Sequence, residues 1–247
     1  MKFQREKDDF QRDGYVVIRQ LLPENEFRIL TQNIERYIRD VVPTLDEVDA
    51  FYQDRRQPET LKQLQGMEQD EFFDSYRGHR EWIEVAEALL DERVVALGPE
   101  WFNKPPGTDH PTPAHQDNYY FNLKPANVLS IWMAMDRVDA DNGCLRYLPG
   151  SHHHGVRPHQ ATKTLGFSQG VAGYTEEESA REVPIFLDAG DVVVHHGNTI
   201  HSAMANTSAT RHRPAFAMVV KGVSCRRDEE GFARYQAAAT AQREALT

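Results

Sequence analysis

Three residues of the chain have the types and spacing of metal ligands: a histidine and an aspartate two positions apart, and a second histidine much later. They are His115, Asp117 and His201. Two imidazoles and one carboxylate are the ligand set of a non-haem Fe(II) centre. They occupy one face of an octahedron and leave the other positions for a co-substrate and O2.

Two arginines, Arg211 and Arg213, follow the last of these ligands closely. A guanidinium matches a carboxylate through two parallel hydrogen bonds, so either arginine is suited to a dicarboxylate co-substrate. Together with the ligand set, this predicts an oxygenase that uses Fe(II), 2-oxoglutarate and O2.

The spacing of His115 and Asp117 carries little information by itself. In a chain with 11 His among 247 residues, about one such pair is expected by chance. In an extended segment, however, residues two apart point to the same face, as chelation requires. The prediction therefore depends on the elements that would bring the later histidine to the same place.

From about residue 95 the sequence alternates strand-like runs with turns rich in Gly, Pro, Asn and Asp. The predicted strands are 128–136, 144–148, 183–187, 192–195 and 214–223. Many short strands at this spacing predict a sandwich or barrel.

Residues before about 95 read mostly as helix around one short strand at 14–19. Pro23 opens a helix with apolar residues at helical spacing, and 81–94 is a second amphipathic helix. We interpret 46–79 as helices with loops and 227–247 as a surface helix. One domain is expected over 1–247, with a helical part at about 20–94 and a β-core at about 95–224.

Composition limits the classes of partner and compartment. The formal net charge of −10 argues against nucleic acid and anionic membranes as partners. Two cysteines without a C-x-x-C motif, no apolar leader and no run of about 18 apolar residues predict a cytoplasmic protein. We expect a small-molecule substrate, and the sequence carries no signal for an oligomeric state.

Several segments together resemble the phytanoyl-CoA dioxygenase family, a branch of the Fe(II)/2-oxoglutarate oxygenases. They fall in order within residues 10–220, and their combined pattern is more specific than any one piece. The segments are 10–17 (FQRDGYVV), 114–118 (AHQDN), 132–136 (WMAMD), 142–145 (NGCL), 149–152 (PGSH), 190–193 (GDVV), 206–208 (NTS) and 213–215 (RPA).

The resemblance implies a mainly β fold, a double-stranded β-helix (jelly roll, cupin-like) with N-terminal helices packed outside. It also implies Fe(II), 2-oxoglutarate and O2, with a hydroxylated product, succinate and CO2. Carried over by position, His115 and Asp117 are the first two iron ligands. The family register selects His201 as the third ligand over His195 and His196.

One position departs from the family pattern. The family's arginine usually lies about eleven residues past the distal histidine, and here that position is His212, flanked by Arg211 and Arg213. If this segment is extended, the two arginines share a face and His212 points the other way. We favour Arg213 because it directly precedes the last predicted strand, and Arg211 stays the alternative.

Other candidate residues surround the predicted site. Trp132 is expected beside the iron or in the barrel core, and Asn118 is a candidate hydrogen-bonding residue behind the ligands. Lys104 could reach an anionic group of substrate or co-substrate, or lie at the surface. Of Tyr119, Tyr120 and Phe121, an extended segment would place the first and third on one face.

The predicted reaction is hydroxylation of a C–H bond in a small metabolite. Halogenating relatives carry a small residue at the Asp117 position, so the resemblance favours hydroxylation over halogenation. Two alternatives stay open: a non-enzymatic metal- or ligand-binding jelly-roll protein, and a cupin-like metalloenzyme that does not use 2-oxoglutarate.

Overall fold

The computed structural model describes residues 2–46, 48–108, 110–162 and 169–246. Within them the α-helices are α1 (Gln4–Asp13), α2 (Glu24–Arg36), α3 (Glu71–Tyr76), α4 (Arg80–Leu90), α5 (Asp117–Phe121), α6 (Glu176–Ala180) and α7 (Glu229–Leu246). A π-helical turn, Tyr37–Val41, continues α2. Single 3₁₀ turns occupy Val42–Thr44, Pro58–Thr60, Met67–Gln69 and Ser151–His154.

The strands are short, as the sequence predicts. They are β1 (Tyr15–Ile18), β2 (Ala50–Tyr52), β3 (Leu61–Leu64), β4 (Val94–Phe102), β5 (Thr112–His115), β6 (Leu123–Lys124), β7 (Val128–Ala134), β8 (Leu145–Tyr147), β9 (His159–Ala161), β10 (Gln169–Val171), β11 (Val183–Pro184), β12 (Val192–His196), β13 (His201–Ala203), β14 (Ala215–Gly222) and β15 (Arg226–Arg227).

Two antiparallel sheets form the β-core. A seven-stranded sheet has the order β1-β12-β7-β14-β4-β3-β2, and a four-stranded sheet has the order β11-β8-β13-β5. Buried side chains of both sheets pack into one cluster, as in a β-sandwich. The predicted jelly roll with external helices is therefore confirmed.

The central strand β7 shows how the large sheet is covered on both faces, because all seven of its residues are buried. Leu129, Ile131 and Met133 pack in the cluster that includes the N-terminal helices. Trp132 and Ala134 alternate with them and pack towards the small sheet. A continuous apolar run is the expected pattern for a strand buried on both sides.

The N-terminal helices cover the outer face of the large sheet. Leu30 and Ile34 of α2 and Trp82, Val85 and Leu89 of α4 are buried there, at the predicted helical spacing. Helix α1 precedes the predicted strand and was not expected from the sequence.

The interpretation of 46–79 as helices with loops is wrong in part. Strands β2 and β3 extend the large sheet, because β3 pairs with the end of β4 through Gln63 opposite Phe102. Pairing with an available sheet edge overrides the weak local preference of a charged, Gln-rich segment. The predicted strand 183–187 shortens to β11, which ends at Pro184, a residue that has no N–H for the ladder.

Within the part of the chain that the structure describes, no helix has the combination of length and apolar character needed to span a bilayer.

Candidate active site

Strand register brings the predicted ligands together. Strand β5 ends at His115, β13 begins at His201, and these two residues are directly paired between the strands. Asp117 follows β5 at once, as the first residue of α5. One ligand atom from each residue lies within 4.8 Å of the others, so the three side chains can bind a single metal ion.

Hydrogen bonds to the backbone orient both imidazoles. Nδ1 of His115 lies 2.8 Å from the carbonyl of Pro113, and Nδ1 of His201 lies 3.0 Å from the carbonyl of Thr199. A carbonyl only accepts, so each Nδ1 carries the proton and each Nε2 keeps a free lone pair. Such bonds fix the tautomer and ring orientation that a metal ligand needs.

The carboxylate of Asp117 divides its two oxygens between different tasks. Its Oδ1 lies 3.7 Å from Nε2 of His115 and 3.6 Å from Nε2 of His201. Its Oδ2 accepts hydrogen bonds from Oγ of Ser130 at 2.7 Å and Nε2 of His195 at 2.9 Å. One oxygen is thus directed at the metal position, while the other is held by the large sheet.

A third residue extends this support. Because Nε2 of His195 donates to Asp117, its Nδ1 is the acceptor for the hydroxyl of Tyr147, 3.0 Å away. Tyr147 is fully buried, and its ring stacks against Tyr15 and His201. His195 is therefore a support for the ligand Asp117 in this geometry, and it lies outside the metal-binding group.

The protonation states suit metal binding. Burial lowers the pKa of His115, and burial together with His115 lowers the pKa of His201 well below its ordinary value. Burial acts to raise the pKa of Asp117, but His201 and the hydrogen bond from His195 outweigh it and hold that pKa below the ordinary range. Neutral imidazoles and an ionised carboxylate are the forms that bind metal.

The ligand loop is held by the two amides that flank Asp117. Gln116 is fully buried and donates from Nε2 to the carbonyls of Gly155 and Asn198. Asn118 donates to the side chain of Asn198 and exchanges hydrogen bonds with the backbone of Leu123. Asn118 therefore braces the loop behind the ligands, and its side chain is not part of the cavity wall.

The loop is not extended throughout, contrary to our expectation. Gln116 is extended (φ −130, ψ 126), which keeps His115 and Asp117 on one side, but α5 begins at Asp117. Helical geometry changes the faces that follow. Tyr120 and Phe121 line the cavity, whereas the ring of Tyr119 stacks on His159 with centroids 3.9 Å apart.

The ligands open onto a cavity of about 400 Å³ between the two sheets. Trp132, Lys104 and Arg213 are all in its wall, as is Lys62 of β3. The guanidinium of Arg213 lies 5.1 Å from the ring centroid of Trp132, a cation–π contact. The cavity thus combines the predicted metal position with a group of buried cations.

Arg213 is a buried cation that needs an anion. It is 6% exposed, and among the described residues its Nε has no hydrogen-bond partner. Burial lowers its pKa to about 10. A buried unpaired charge is costly, and an anionic ligand would remove that cost.

Two lysines share this end of the cavity. Nζ of Lys104 donates to the carbonyl of Met204 at 2.5 Å, and Nζ of Lys62 donates to Nε2 of His110 at 3.0 Å. Burial lowers the pKa of Lys104 to about 6, with Arg213 and Lys62 acting in the same direction. Arg213, Lys62 and Lys104 therefore form one group of basic side chains.

The two candidate arginines occupy different environments. Arg211 is partly exposed, both of its terminal nitrogens (Nη1 and Nη2) donate to Asp139, and it is not part of the cavity wall. The segment before β14 is not a strand, so the shared face expected for the two arginines does not occur. Between them, Nδ1 of His212 contacts the amide of Asn103.

Several site residues were missed by sequence reasoning: Lys62, Glu100, Ser130 and Tyr147. Ser130 carries a readable signal, since it is the polar residue of an otherwise apolar strand, 128–134 (VLSIWMA). Lys62 and Glu100 carry none, because they reach the cavity only through the pairing of β3 with β4 and of β4 with β14.

The fold is a jelly roll, its three ligand residues are of the types that bind non-haem iron, and sequence comparison identifies the family. Residues 10–215 match the phytanoyl-CoA dioxygenase (PhyH) family. The chain belongs to this family. It is 28% identical over 211 residues to "Phytanoyl-CoA dioxygenase, peroxisomal" from Mus musculus, an alignment that covers 80% of the chain and 62% of the mouse protein.

Solved structures with the same fold include a complex with 2-oxoglutarate and an epimerase. EvdO2 from Micromonospora carbonacea var. aurantiaca, in complex with 2-oxoglutarate, is 25% identical and has a TM-score of 0.70. The alignment covers 89% of this chain and 91% of EvdO2. The non-haem α-ketoglutarate-dependent epimerase SnoN from nogalamycin biosynthesis is 21% identical and has a TM-score of 0.70. The alignment covers 91% of this chain and 82% of SnoN. The second likeness concerns the fold alone.

Proposed function

We propose that the protein is an Fe(II)- and 2-oxoglutarate-dependent dioxygenase that hydroxylates a C–H bond of a small metabolite. The observation that carries the proposal is that one cavity contains two features. The first is the ligand set His115, Asp117 and His201, and the second is the buried guanidinium of Arg213, whose Nε has no hydrogen-bond partner among the described residues. In the overall reaction, substrate C–H, 2-oxoglutarate and O2 give substrate C–OH, succinate and CO2.

The residues present fit the iron. Two imidazole nitrogens with free lone pairs and one ionised carboxylate oxygen are the donors of a facial set for Fe(II). Three protein ligands would leave the other coordination positions for the co-substrate and O2. When bound, the iron and 2-oxoglutarate together would supply the oxidising chemistry. His115, Asp117 and His201 would hold the metal, and Ser130 and His195 would keep the carboxylate of Asp117 in one orientation.

The residues also fit a dicarboxylate. Arg213 would bind the carboxylate of 2-oxoglutarate that lies farther from the metal, and the ring of Trp132 would hold the guanidinium in place. Lys62 and Lys104 lie at the same end of the cavity, where a bound dianion would favour their ammonium forms. The apolar and aromatic wall would exclude water from the reacting groups. The C–H step needs no general base, and we assign none.

Hydroxylation is the outcome that the carboxylate ligand favours, because Asp117 occupies the position that halogenating relatives leave small. The same fold supports other outcomes, as the epimerase SnoN illustrates, so fold alone does not define the product. Mass analysis of the product formed under ¹⁸O2 would test this point: hydroxylation predicts one added oxygen atom from O2.

The primary test is an anaerobic Fe(II) titration with and without 2-oxoglutarate, monitored for the visible iron-to-keto-acid charge-transfer band. We expect a band in the wild-type protein and its loss in His115→Ala. Absence of the band despite tight metal binding would remove the 2-oxoglutarate assignment and leave the cupin-like metalloenzyme. Weak metal binding would leave the non-enzymatic binding protein.

A further inference from the structure

Glu100 is the one charged residue of the cavity wall among the described residues that the proposed co-substrate chemistry does not use. In the large sheet it is paired with Ala217 of β14, which is paired in turn with Trp132 of β7. All three line the cavity and lie in one row across the sheet. Glu100 therefore faces the same space as the metal ligands.

Within the described part of the chain, no lysine or arginine pairs with this carboxylate. Its hydrogen-bond donor is Nε2 of Gln63, at 3.2 Å. The charged neighbours that act on it, Asp117 and Glu68, have the same sign. Burial raises the pKa of Glu100 to about 7, which reflects the missing partner.

The basic and acidic side chains of the cavity interact with different partners. Arg213 lowers the pKa values of Lys104 and Lys62, so these basic groups lie near one another. The charged groups that act on Glu100 are Asp117 and Glu68. A dianionic co-substrate is attracted to the cationic group and repelled by Glu100. The space beside Glu100 is consequently left for the primary substrate.

The chemistry of that side favours a cationic ligand. A buried carboxylate with one amide donor is stabilised most by a positively charged donor. Aromatic residues, whose ring faces also attract cations, line the same cavity. They include Tyr120, Phe121 and Tyr235. A volume of about 400 Å³ that must also hold 2-oxoglutarate limits the reacting part of the substrate to a small group.

We propose that the primary substrate carries a positively charged nitrogen group, such as an ammonium or amidinium, and that Glu100 binds this group and determines specificity. The proposal rests on the proposed function, since it treats the space beside the metal ligands as a substrate site. The expected substrates are therefore small amines or zwitterions.

The test compares two probes of equal length that differ in charge, n-butylammonium and n-butanol. Dissociation constants are measured by ligand-observed NMR on Zn(II)-loaded protein with 2-oxoglutarate at pH 8, where Glu100 is ionised. We expect n-butylammonium to bind about tenfold more tightly, as for a charge-assisted hydrogen bond. Glu100→Gln, which keeps the shape and the contact with Gln63, should abolish that preference.

Glu68→Gln is the matched control, because Glu68 is also acidic and acts on Glu100 but lies outside the cavity wall. It should retain the preference for the ammonium probe. Circular dichroism and the thermal midpoint of Glu100→Gln establish that the variant is folded. Equal binding of the two probes by wild-type protein, or a preference that survives in Glu100→Gln, would overturn the proposal.

The charge-transfer band separates this proposal from the proposed function. A wild-type protein that forms the Fe(II)–2-oxoglutarate band but does not prefer the ammonium probe contradicts the substrate class alone. A protein that prefers the ammonium probe but forms no band contradicts the proposed function and leaves Glu100 as a cation-binding residue.

Discussion

Nε2 of His195 donates a 2.9 Å hydrogen bond to Oδ2 of Asp117, the carboxylate oxygen that does not face the ligand histidines. His195 comes from β12 of the large sheet, whereas His115 and His201 come from β5 and β13 of the small sheet. The bond therefore links the proposed metal centre to both halves of the jelly roll. Groups that orient a ligating carboxylate commonly tune metal affinity.

His195→Phe should weaken Fe(II) binding without removing a ligand. An aromatic ring is retained, but Asp117 loses one of its two Oδ2 donors and keeps only the hydrogen bond from Ser130. We expect the dissociation constant for Fe(II) to rise about 10- to 100-fold. Anaerobic titration of the purified variant measures this constant directly.

His196→Phe is the matched control for this prediction. His196 follows on the same strand, but its ring lies 6.1 Å from that of Phe10, among the helices outside the large sheet. The Fe(II) affinity of the His196→Phe variant should equal that of the wild-type protein. An equal loss of affinity in both variants would mean that the strand, and not the hydrogen bond to Asp117, is responsible.

Arg213→Met should abolish tight binding of 2-oxoglutarate and leave the free protein folded. Truncating one partner of a buried charge pair costs several kcal/mol, so the dissociation constant should rise at least about 30-fold. Since none of the described residues forms an ion pair with Arg213, the thermal midpoint without 2-oxoglutarate should not fall. Intensity of the charge-transfer band against 2-oxoglutarate concentration gives the constant.

Arg211→Met tests the alternative assignment. Arg211 pairs with Asp139 outside the cavity wall, so its loss should leave 2-oxoglutarate affinity unchanged. If Arg211→Met loses the co-substrate and Arg213→Met does not, the assignment of the two arginines is reversed.

Much of the fold could be predicted from local pattern. The apolar spacing around Leu30 and Ile34 predicts α2, and the apolar run 128–134 predicts β7. Both are predictable because burial on one face or on both faces determines the local pattern of apolar residues. Strands β2 and β3 could not be predicted in this way. Their conformation depends on pairing with β4, a contact between residues nearly forty positions apart.

The candidate site shows the same division. His115, Asp117 and His201 belong to short recognisable segments, so their types and spacing indicate a metal site. Glu100 and Lys62 have no local signal, since each depends on strand register to reach the cavity. The sequence favours Arg213 over Arg211 from its place before the last strand, and the structure adds the reason: Arg213 lines the cavity, whereas Arg211 pairs with Asp139.

Lys104 should make 2-oxoglutarate binding dependent on pH. Burial lowers its pKa to about 6, and Arg213, Lys62 and Cys144 are the other titratable groups that act on it. At pH 8 the free protein therefore holds Lys104 neutral. A bound dianion stabilises the ammonium form, so binding takes up a proton, and the affinity should fall as pH rises above about 6.

Calorimetric titration of 2-oxoglutarate at pH 8 in phosphate and in Tris measures this uptake, because the two buffers differ in ionisation enthalpy. We expect a substantial fraction of one proton for wild type and a smaller uptake for Lys104→Met, with any remainder assigned to Lys62. Equal apparent enthalpies in the two buffers would contradict the prediction. Equal enthalpies would mean that 2-oxoglutarate binding does not change the protonation of Lys104, which would leave Arg213 as the main cation that binds 2-oxoglutarate.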